Sequence, residues 1–227
     1  MRNKVDMPNW MSMYMQDMNS PSMEQISFFH DHAMIILILI SILTTYIVAS
    51  LLMTKNFNSF VMEGQEIETI WTILPAFMLV FIAFPSLKTL YMMEDTKTSK
   101  MMIKTTGHQW YWSYEYVSMK EKESENFMET SNISRLLKTS EMLYMPIMAT
   151  NRMLVSSEDV IHSWTVPSLG TKIDALPGRI NQIFNTPKRI GLFTGQCSEI
   201  CGANHSFMPI TIQVLSSTQY IKKMKNM

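Results

Sequence analysis

The chain has 227 residues, of which 47% are apolar, and equal numbers of acidic and basic side chains give a formal net charge of zero. This length suits a membrane anchor plus one modest domain, and the charge balance gives no electrostatic reason to expect nucleic acid as a partner. The 24 methionines are spread along the whole chain. This spread indicates a coding bias that puts Met in place of Leu and Ile, rather than a role in metal transport.

The N-terminal segment, residues 1–32, is mostly polar. Its first twenty residues carry both charge signs and lack an apolar stretch, so they do not have the pattern of a secretory signal. They also lack the basic, acid-poor pattern of an imported organelle protein. If the mature protein lies in an organelle, we therefore expect it to be made there.

Two long apolar segments follow. Ala33–Thr54 contains 22 uncharged residues and Thr69–Leu87 contains 19. About 20 apolar residues cross the hydrocarbon core of a bilayer, so we predict one transmembrane helix at residues 33–54 and another at 69–91. Two core helices of a soluble protein are the alternative. The connecting loop, residues 55–68, is short, which predicts an antiparallel hairpin with both termini on one side of the membrane. Its one lysine and three acidic residues do not decide which side that is.

Residues 92–100 form a linker, and the character of the chain changes in residues 101–227, which we call the head. Six of the seven glycines fall between Gly107 and Gly202, and short runs alternate in the manner of strands. We predict an all-β sandwich or barrel of about 130 residues, with the polar stretch Met119–Glu141 as an exposed loop. The strand-like runs are His108–Tyr116, in which every even position is aromatic, Arg152–Ser156, Val160–Thr165, Arg179–Asn185, Ile190–Thr194 and Met208–Leu215.

A cluster of metal-binding side chains lies near the end of the head. Cys197, Cys201, His205 and Met208 fall within twelve residues, and a second histidine, His162, stands upstream in a strand-like run. Thiolate and thioether are soft ligands and imidazole is borderline, a set that favours copper over hard cations.

Three kinds of site compete at this cluster. A zinc site would use both cysteines and both histidines and leave Met208 without a role, whereas a disulfide would leave both histidines unexplained. A copper electron-transfer site uses all five side chains, with Met208 as a weak axial ligand. Two thiolates could also bridge two copper ions, each completed by one imidazole. The ligand types favour copper over zinc without excluding zinc.

Five strings of sequence resemble subunit II of cytochrome c oxidase, and the resemblance extends from about Met7 to Leu215. Three strings lie in the head, and they are Gly107-His-Gln-Trp-Tyr-Trp-Ser-Tyr-Glu-Tyr116, Met153-Leu-Val-Ser-Ser-Glu-Asp-Val-Ile-His-Ser-Trp164 and Gly195-Gln-Cys197 through Met208-Pro209. Two lie before and within the apolar segments, and they are Phe29-His-Asp-His32 and Glu66-Ile-Glu-Thr-Ile-Trp-Thr-Ile-Leu-Pro75. Because Met7-Pro8-Asn9-Trp10 resembles a family start, we also expect translation to begin at Met7 rather than at Met1.

The resemblance implies a cupredoxin-like head with a dinuclear copper centre. Cys197 and Cys201 would bridge the two copper ions, and His162 and His205 would be their terminal ligands. The weak ligands would be Met208 and the backbone carbonyl of Glu199. The Glu199 carboxylate would also reach a magnesium ion shared with the catalytic subunit.

The resemblance also implies a function and partners. Electrons from reduced cytochrome c would enter at Trp110 and pass through the copper centre to the haem of the catalytic subunit, where oxygen is reduced to water with proton pumping. Glu68 matches a carboxylate at the mouth of a proton channel. The acids Glu115, Glu158 and Asp159 match the docking surface for cytochrome c. Other positions, where relatives often carry acids, are occupied by Ser118, Lys120, Lys138 and Ser140, so we expect weaker electrostatic steering.

The expected location is the mitochondrial inner membrane, among other oxidase subunits and lipid, with the head and both termini in the intermembrane space. A bacterial plasma membrane is the alternative. A membrane-tethered copper chaperone with a Cys-x3-Cys pair is the rival function, but that family has one span and a histidine downstream of the cysteines. A quinol-oxidase relative would lack the copper ligands that are present here.

Overall fold

The computed structural model describes residues 5–6, 11–55, 58–60, 62–117, 123–130 and 135–226. These residues form two compact units, one of which is the helical segment Gln25–Met92, while the other combines the head with the N-terminal residues up to Glu24. Within the described residues, the helices are α1 (Pro21–Met53), α2 (Gln65–Glu94) and α3 (Ser217–Asn226).

Eleven strands lie in the described part of the chain. They are β1 (Val5–Asp6), β2 (Met101–His108), β3 (Tyr111–Tyr116), β4 (Glu123–Asn126), β5 (Leu143–Pro146), β6 (Asn151–Ser157), β7 (His162–Val166), β8 (Thr171–Ala175), β9 (Asn181–Asn185), β10 (Gly191–Gln196) and β11 (Pro209–Leu215).

Helix α1 begins twelve residues before the span predicted at 33–54. The Ser20 hydroxyl accepts a hydrogen bond from the Met23 amide at 3.0 Å, and Pro21 occupies the first helical position. A serine cap followed by proline is a strong start signal. Hydropathy finds only the part of a helix that is apolar enough to cross lipid, so it placed the boundary too late.

Helix α2 also exceeds its predicted span, 69–91, at both ends. Its first turn contains Glu68, which was predicted to end the connecting loop, and the helix continues through Pro75 and Pro85. Both α1 and α2 are long and apolar enough to cross a membrane, and no residue of α2 is buried. Apolar side chains that remain exposed over such a length are typical of helices that face lipid.

The head is a β-sandwich, which confirms the predicted fold class. One sheet has the strand order β4-β3-β2-β6-β9 and the other β1-β10-β11-β5, while β7 and β8 form a separate two-stranded ladder. Alternate side chains of each sheet fill a common core. Its largest fully buried members are Trp112, Trp164, Tyr114, Tyr116 and Phe193.

The predicted strand His108–Tyr116 is wrong as a single element. Strand β2 ends at His108, residues 109 and 110 form a turn, and β3 begins at Tyr111. His108 pairs directly with Tyr111 across the turn. Because the turn has two residues, the alternation of aromatic and other residues continues across it without a break. The sequence pattern therefore does not show that the chain reverses direction here. Trp110 therefore lies on a turn rather than in the sheet.

The predicted loop Met119–Glu141 is only partly a loop. Strand β4 pairs with β3 and extends the sheet, and Met128 forms an isolated bridge with Thr139. The sequence of β4, Glu-Ser-Glu-Asn, has no apolar alternation and gave no strand signal. Residues 119–122 and 131–134 of this stretch lie outside the described residues.

The predicted N-terminal segment packs on the head. The Asn19 side-chain oxygen accepts hydrogen bonds from the backbone amides of Lys188 at 3.2 Å and Arg189 at 2.7 Å, and the Ser20 hydroxyl donates to the Leu169 carbonyl at 2.6 Å. Asn19 and Ser20 are buried. Sequence patterns describe local structure, so they did not reveal these contacts, which join residues about 150 or more positions apart.

Candidate metal centre

The hairpin of β10 and β11 carries four of the predicted ligand side chains on its connecting loop. The last pair of the ladder is Gln196 with Pro209, so Cys197–Met208 forms the whole connection. The loop contains a short 3₁₀ helix, His205–Phe207. Because antiparallel strands hold the two ends of the loop side by side, residues at its beginning and end lie close together.

His162 reaches the same place from β7, of which it is the first residue. The Ser198 amide donates to the Ser163 carbonyl at 3.0 Å and ties the loop to that strand. The imidazole is 0% exposed and lies edge-on to the Trp112 ring, with centroids 5.8 Å apart. A Cβ atom at Gly107 would lie 2.9 Å from the imidazole Cδ2, so only glycine leaves room for the ring. Sequence reasoning did not single out Gly107.

The structure brings together all five predicted ligand side chains. The Cys197 Sγ lies 4.0 Å from the His162 Nδ1, and these atoms and the Cys201 Sγ all lie within 4.8 Å of one another. The Cys201 Sγ lies 3.5 Å from the His205 Nδ1 and 3.4 Å from the Met208 Sδ. The two sulfurs therefore stand between two imidazoles, with the thioether beside Cys201.

The backbone carbonyl and the side chain of Glu199 lie in different surroundings. Its carbonyl oxygen accepts a hydrogen bond from the Cys197 Sγ at 3.3 Å and so faces the cluster. The residue as a whole is exposed. The carbonyl fits the predicted role of weak ligand, and the role of the carboxylate toward magnesium stays a prediction.

The two thiols differ in their electrostatic surroundings. Burial raises the pKa of Cys197, but hydrogen bonds with His162 and the Ser163 backbone outweigh burial and lower it overall. Burial and the neighbouring Cys197 raise the pKa of Cys201 to about 12. Burial lowers the pKa of His162, while its hydrogen bonds with Cys197 and Asp159 raise it overall. In the metal-free protein, Cys197 is therefore the thiol that ionises first.

The donor set fits copper better than the alternatives. Both cysteines are free thiols, so the pair does not form a disulfide. A zinc site of two thiolates and two imidazoles would leave the Met208 thioether without a role, although it is 1% exposed and 3.4 Å from the Cys201 Sγ. Thiolate, thioether and imidazole together are the ligands of protein copper sites that transfer electrons.

The turn that carries Trp110 is attached to the loop Cys197–Met208. The Gln109 side-chain amide donates to the Cys201 carbonyl at 2.7 Å. Trp110 is partly buried, and a Cβ atom at Gly202 would lie 3.1 Å from its Cζ2. The indole therefore packs directly against the loop, one residue from a predicted copper ligand. Sequence reasoning missed Gln109, because no rule of spacing distinguishes it from an ordinary turn residue.

The predicted docking acids have different partners. Glu115 forms an ion pair with Lys104 at 3.2 Å. Glu158 is 70% exposed and lies 3.7 Å from the His108 Nδ1. Asp159 is engaged in hydrogen bonds within the protein.

Lys138 and Ser140, two of the other docking positions, have partners within the head. Lys138 pairs with Glu129 at 2.5 Å, and the Ser140 hydroxyl accepts a hydrogen bond from the Phe127 amide at 3.1 Å. Ser118 and Lys120 fall outside the described residues. Glu68 lies in the helical unit, on α2.

A cupredoxin-like sandwich with a thiol and imidazole cluster, joined to two helices able to cross a membrane, defines a class of membrane-anchored metal proteins. The model of the family "Cytochrome C oxidase subunit II, periplasmic domain" matches residues 101–215, and that of the transmembrane domain of the same subunit matches residues 8–89. The chain belongs to the cytochrome c oxidase subunit II family.

Individual relatives agree with this assignment. Cytochrome c oxidase subunit 2 of Rhipicephalus sanguineus is 53% identical over 95% of this chain and 97% of its own length, and that of Ctenocephalides felis is 50% identical over the same shares. The crystallised periplasmic domain of subunit II of cytochrome oxidase from Bradyrhizobium japonicum is 37% identical, with a TM-score of 0.57. It covers 58% of this chain and 96% of its own.

Proposed function

We propose that this chain is the electron-entry subunit of its oxidase. It accepts electrons from reduced cytochrome c at a dinuclear copper centre and passes them to the haem of the catalytic subunit, where oxygen is reduced to water with proton pumping. The observation that carries the proposal is the convergence of two thiols, two imidazoles and a thioether at the end of the head, with neighbouring donor atoms 3.4 to 4.0 Å apart.

The distances between neighbouring donor atoms support the proposed ligand roles. Cys197 and Cys201 stand between the histidines and would bridge two copper ions, with His162 on the side of Cys197 and His205 on the side of Cys201. Met208 and the Glu199 carbonyl would complete the two ends, since each lies 3.3 to 3.4 Å from one of the two sulfurs. When bound, such a pair of ions takes up and releases a single electron. The buried strands around the site hold the protein ligands still during that change.

Trp110 is the proposed point of electron entry. Its indole lies partly exposed on the β2–β3 turn and packs against Gly202, next to Cys201. The hydrogen bond from Gln109 to the Cys201 carbonyl holds the turn in this position. A donor that contacts the exposed part of the indole would therefore be one ring away from the loop that carries Cys201.

Docking of cytochrome c would rely on exposed acids near this turn. After burial, the charges of Glu125, Glu158, Glu123 and Asp159 raise the pKa of Tyr111, so all four lie near this side chain. Glu115 is partly neutralised by Lys104, and Lys138 adds a positive charge. We expect weak electrostatic steering, so the rate of cytochrome c oxidation should fall only slightly as salt is added, and a steep fall would contradict this.

Two further roles remain part of the proposal. The exposed Glu199 carboxylate would bind a magnesium ion shared with the catalytic subunit. Glu68, in the first turn of α2, would stand at the entrance of a proton channel. Replacing Glu68 with Gln should slow proton uptake without changing the copper content of the oxidase. An unchanged rate of proton uptake would remove this role.

The two apolar helices and the family indicate an inner-membrane oxidase subunit. The finer location that we propose is the mitochondrial inner membrane, with the head and both termini in the intermembrane space. Protease added to mitochondria with a ruptured outer membrane should cleave the head. Protection of the head under these conditions would reverse the proposed orientation.

The test of electron entry uses the assembled oxidase with Cys197 replaced by Ser. The variant should lose oxidation of cytochrome c, while dithionite, a small reductant, should still reduce its haem. The matched control replaces the neighbouring, exposed Ser198 with Ala. If the Cys197 variant oxidised cytochrome c at the rate of the control, the proposed function would be wrong.

A further inference from the structure

A proline in the second half of α2 deprives one carbonyl of its usual donor within the helix. In an α-helix the amide of each residue donates to the carbonyl four positions earlier, and proline has no amide hydrogen. Pro85 lies inside α2, so the carbonyl of Phe81 does not receive this bond. Phe81 belongs to the uncharged stretch Thr69–Leu87, and lipid offers no donor in exchange. An unsatisfied carbonyl in such surroundings is costly.

A histidine of the first helix reaches this carbonyl. The His32 Nε2 lies 3.3 Å from the Phe81 carbonyl oxygen, and the contact joins residues 49 positions apart. Because a carbonyl oxygen only accepts hydrogen bonds, Nε2 carries the hydrogen and donates. His32 lies on α1, directly before the uncharged stretch that begins at Ala33. Both partners belong to the helical unit Gln25–Met92, so the bond is internal to that unit.

We propose that His32 and the Phe81 carbonyl form an interhelical latch, for which Pro85 supplies the free acceptor. Polar side chains of neighbouring helices are one of the means by which membrane helices accommodate proline. Other carbonyls of a regular helix already accept a hydrogen bond from their own chain, whereas this one is available to a partner. The bond therefore fixes one register of α1 against α2, and it gives His32 a role other than metal binding.

The latch does not depend on the copper centre. Its residues lie in the helical unit, whereas the proposed copper ligands lie in the head. Variants that break the latch should therefore keep the copper spectrum of the wild-type oxidase. Failure of the proposed function would look different, because the wild-type oxidase itself would then lack that spectrum.

The sequence allows the hydrogen bond to be observed at a single carbonyl. Phe81–Ile82 is the only place in the chain where Phe is directly followed by Ile. Labelling the full-length chain with ¹³C at the Phe carbonyls and ¹⁵N at Ile therefore selects the Phe81 carbonyl in solid-state NMR spectra of lipid bilayers. His32→Leu should shift this signal upfield, because the hydrogen bond is lost. His32→Gln keeps a side-chain donor and should leave the signal close to its wild-type position.

A double-mutant cycle with Pro85→Ala tests the part that proline has in the latch. Alanine restores an amide that can donate to the Phe81 carbonyl, so His32 should become dispensable. In the wild-type background, His32→Leu should shift the equilibrium toward separated helices by about 3- to 20-fold, the range found for hydrogen bonds between membrane helices. In the Pro85→Ala background the shift should be close to zero. Energy transfer between probes near the ends of α1 and α2, in mixed micelles with increasing detergent, measures this equilibrium.

Pro75→Ala is the matched control. It makes the same change ten residues earlier in α2, where the new amide can donate to the Trp71 carbonyl but not to Phe81. In this background His32→Leu should keep its full effect on the equilibrium between paired and separated helices.

The latch is ruled out if His32→Leu leaves the Phe81 carbonyl signal where it is in the wild-type chain. It is also ruled out if His32→Leu has the same effect on helix pairing in the Pro85→Ala and Pro75→Ala backgrounds. If His32→Leu alone does not fold, adding Pro85→Ala should restore folding, and a double variant that also fails to fold would contradict the proposal.

Discussion

The two halves of the metal centre are built in different ways. The strand-fixed half consists of His162, the first residue of β7, and Cys197, which directly follows β10. The hydrogen bond from the Ser198 amide to the Ser163 carbonyl joins their neighbours in the chain. The loop-carried half consists of Cys201 and His205, which lie within the connection and are surrounded by exposed residues. Met208 closes this half where the chain returns to β11.

The two halves differ in how firmly the fold holds the side chains of the proposed ligands in the absence of metal. The His162 ring is enclosed by Gly107, Trp112 and Asp159, so its orientation is set by the core and by a hydrogen bond. His205 is only partly buried and lies on a short 3₁₀ turn. We infer that the strand-fixed half is preformed, whereas the loop-carried half gains much of its order from the metal.

The largest expected effect comes from replacing Gly195, which lies two residues before Cys197, with alanine. A Cβ atom at Gly195 would lie 1.9 Å from the Thr165 carbonyl oxygen on β7. Gly195→Ala should separate β10 from β7 and destabilise the metal-free head by about 3 kcal/mol or more. Denaturant unfolding of a soluble fragment, residues 98–227, which holds the head and three residues of the linker, measures this.

Gly202→Ala is the matched change in the loop-carried half. Gly202 has φ +125, and its Cβ atom would lie 3.1 Å from Trp110. The cost should be smaller, about 1 to 2 kcal/mol, because strain in an exposed loop is relieved more easily. Equal unfolding midpoints for the two variants would contradict the division into halves.

The next prediction compares the two histidines. His162→Ala should destabilise the metal-free head by about 2 to 3 kcal/mol, because it leaves a cavity and removes the partner of Asp159. His205→Ala should change that stability by less than about 0.5 kcal/mol, because the side chain is partly exposed.

Both histidine variants should fail to hold the complete copper centre. Thermal unfolding without metal and copper analysis after loading measure the two effects separately. A large loss of stability in the metal-free His205→Ala variant would show that its half is also preformed.

A smaller effect is expected for Met208→Leu. Met208 is 1% exposed, and Leu has a similar volume, so the head should lose less than about 1.5 kcal/mol of stability. Both copper ions should remain, while the reduction potential should rise because the oxidised state loses a weak donor. Potentiometric titration of the copper-loaded head measures it, and an unchanged potential would remove Met208 from the ligand set.

The smallest effect concerns the core beneath the strand-fixed half, and it depends on pH. Tyr114 is fully buried and accepts a hydrogen bond from the Trp164 indole at 3.2 Å. Burial raises the pKa of Tyr114 and Tyr116 far above their ordinary value of 10.0. Because the unfolded chain ionises first, the stability they provide is complete below about pH 10 and is lost as pH rises further.

Tyr114→Phe should cost about 1 kcal/mol at neutral pH, because the Trp164 N–H loses its acceptor. It should also make the alkaline fall in melting temperature shallower, since one ionisable group has been removed. Melting curves between neutral pH and about pH 11 test this. A fall as steep as that of the wild-type head would show that Tyr114 does not contribute.

Much of the fold was predictable because its signals are local. The two apolar helices follow from uncharged stretches such as Ala33–Thr54, and strands such as β6 follow from alternation. Elements without apolar periodicity, such as β4, and starts set by a cap, such as Ser20 before α1, were missed or misplaced. The turn at Gln109 was hidden because alternation continued across it.

The proposed ligands could be named from the sequence for a different reason. Four of them lie within one short loop, and their chemistry is distinctive, so Cys197 and Met208 could be named without a structure. The residues that orient them are not distinctive in the same way. Gly107 and Gln109 act through contacts across the fold, and the hydrogen bond of Asp159 to His162 becomes visible only in the structure.

The most direct test of the central claim is to load the soluble head with copper, count the metal and record its electron spin resonance spectrum. The arrangement of Cys197 and Cys201 between His162 and His205 predicts two copper ions per chain and one unpaired electron shared equally by two copper nuclei. A single bound ion, a preference for zinc, or the spectrum of an isolated copper ion would contradict it.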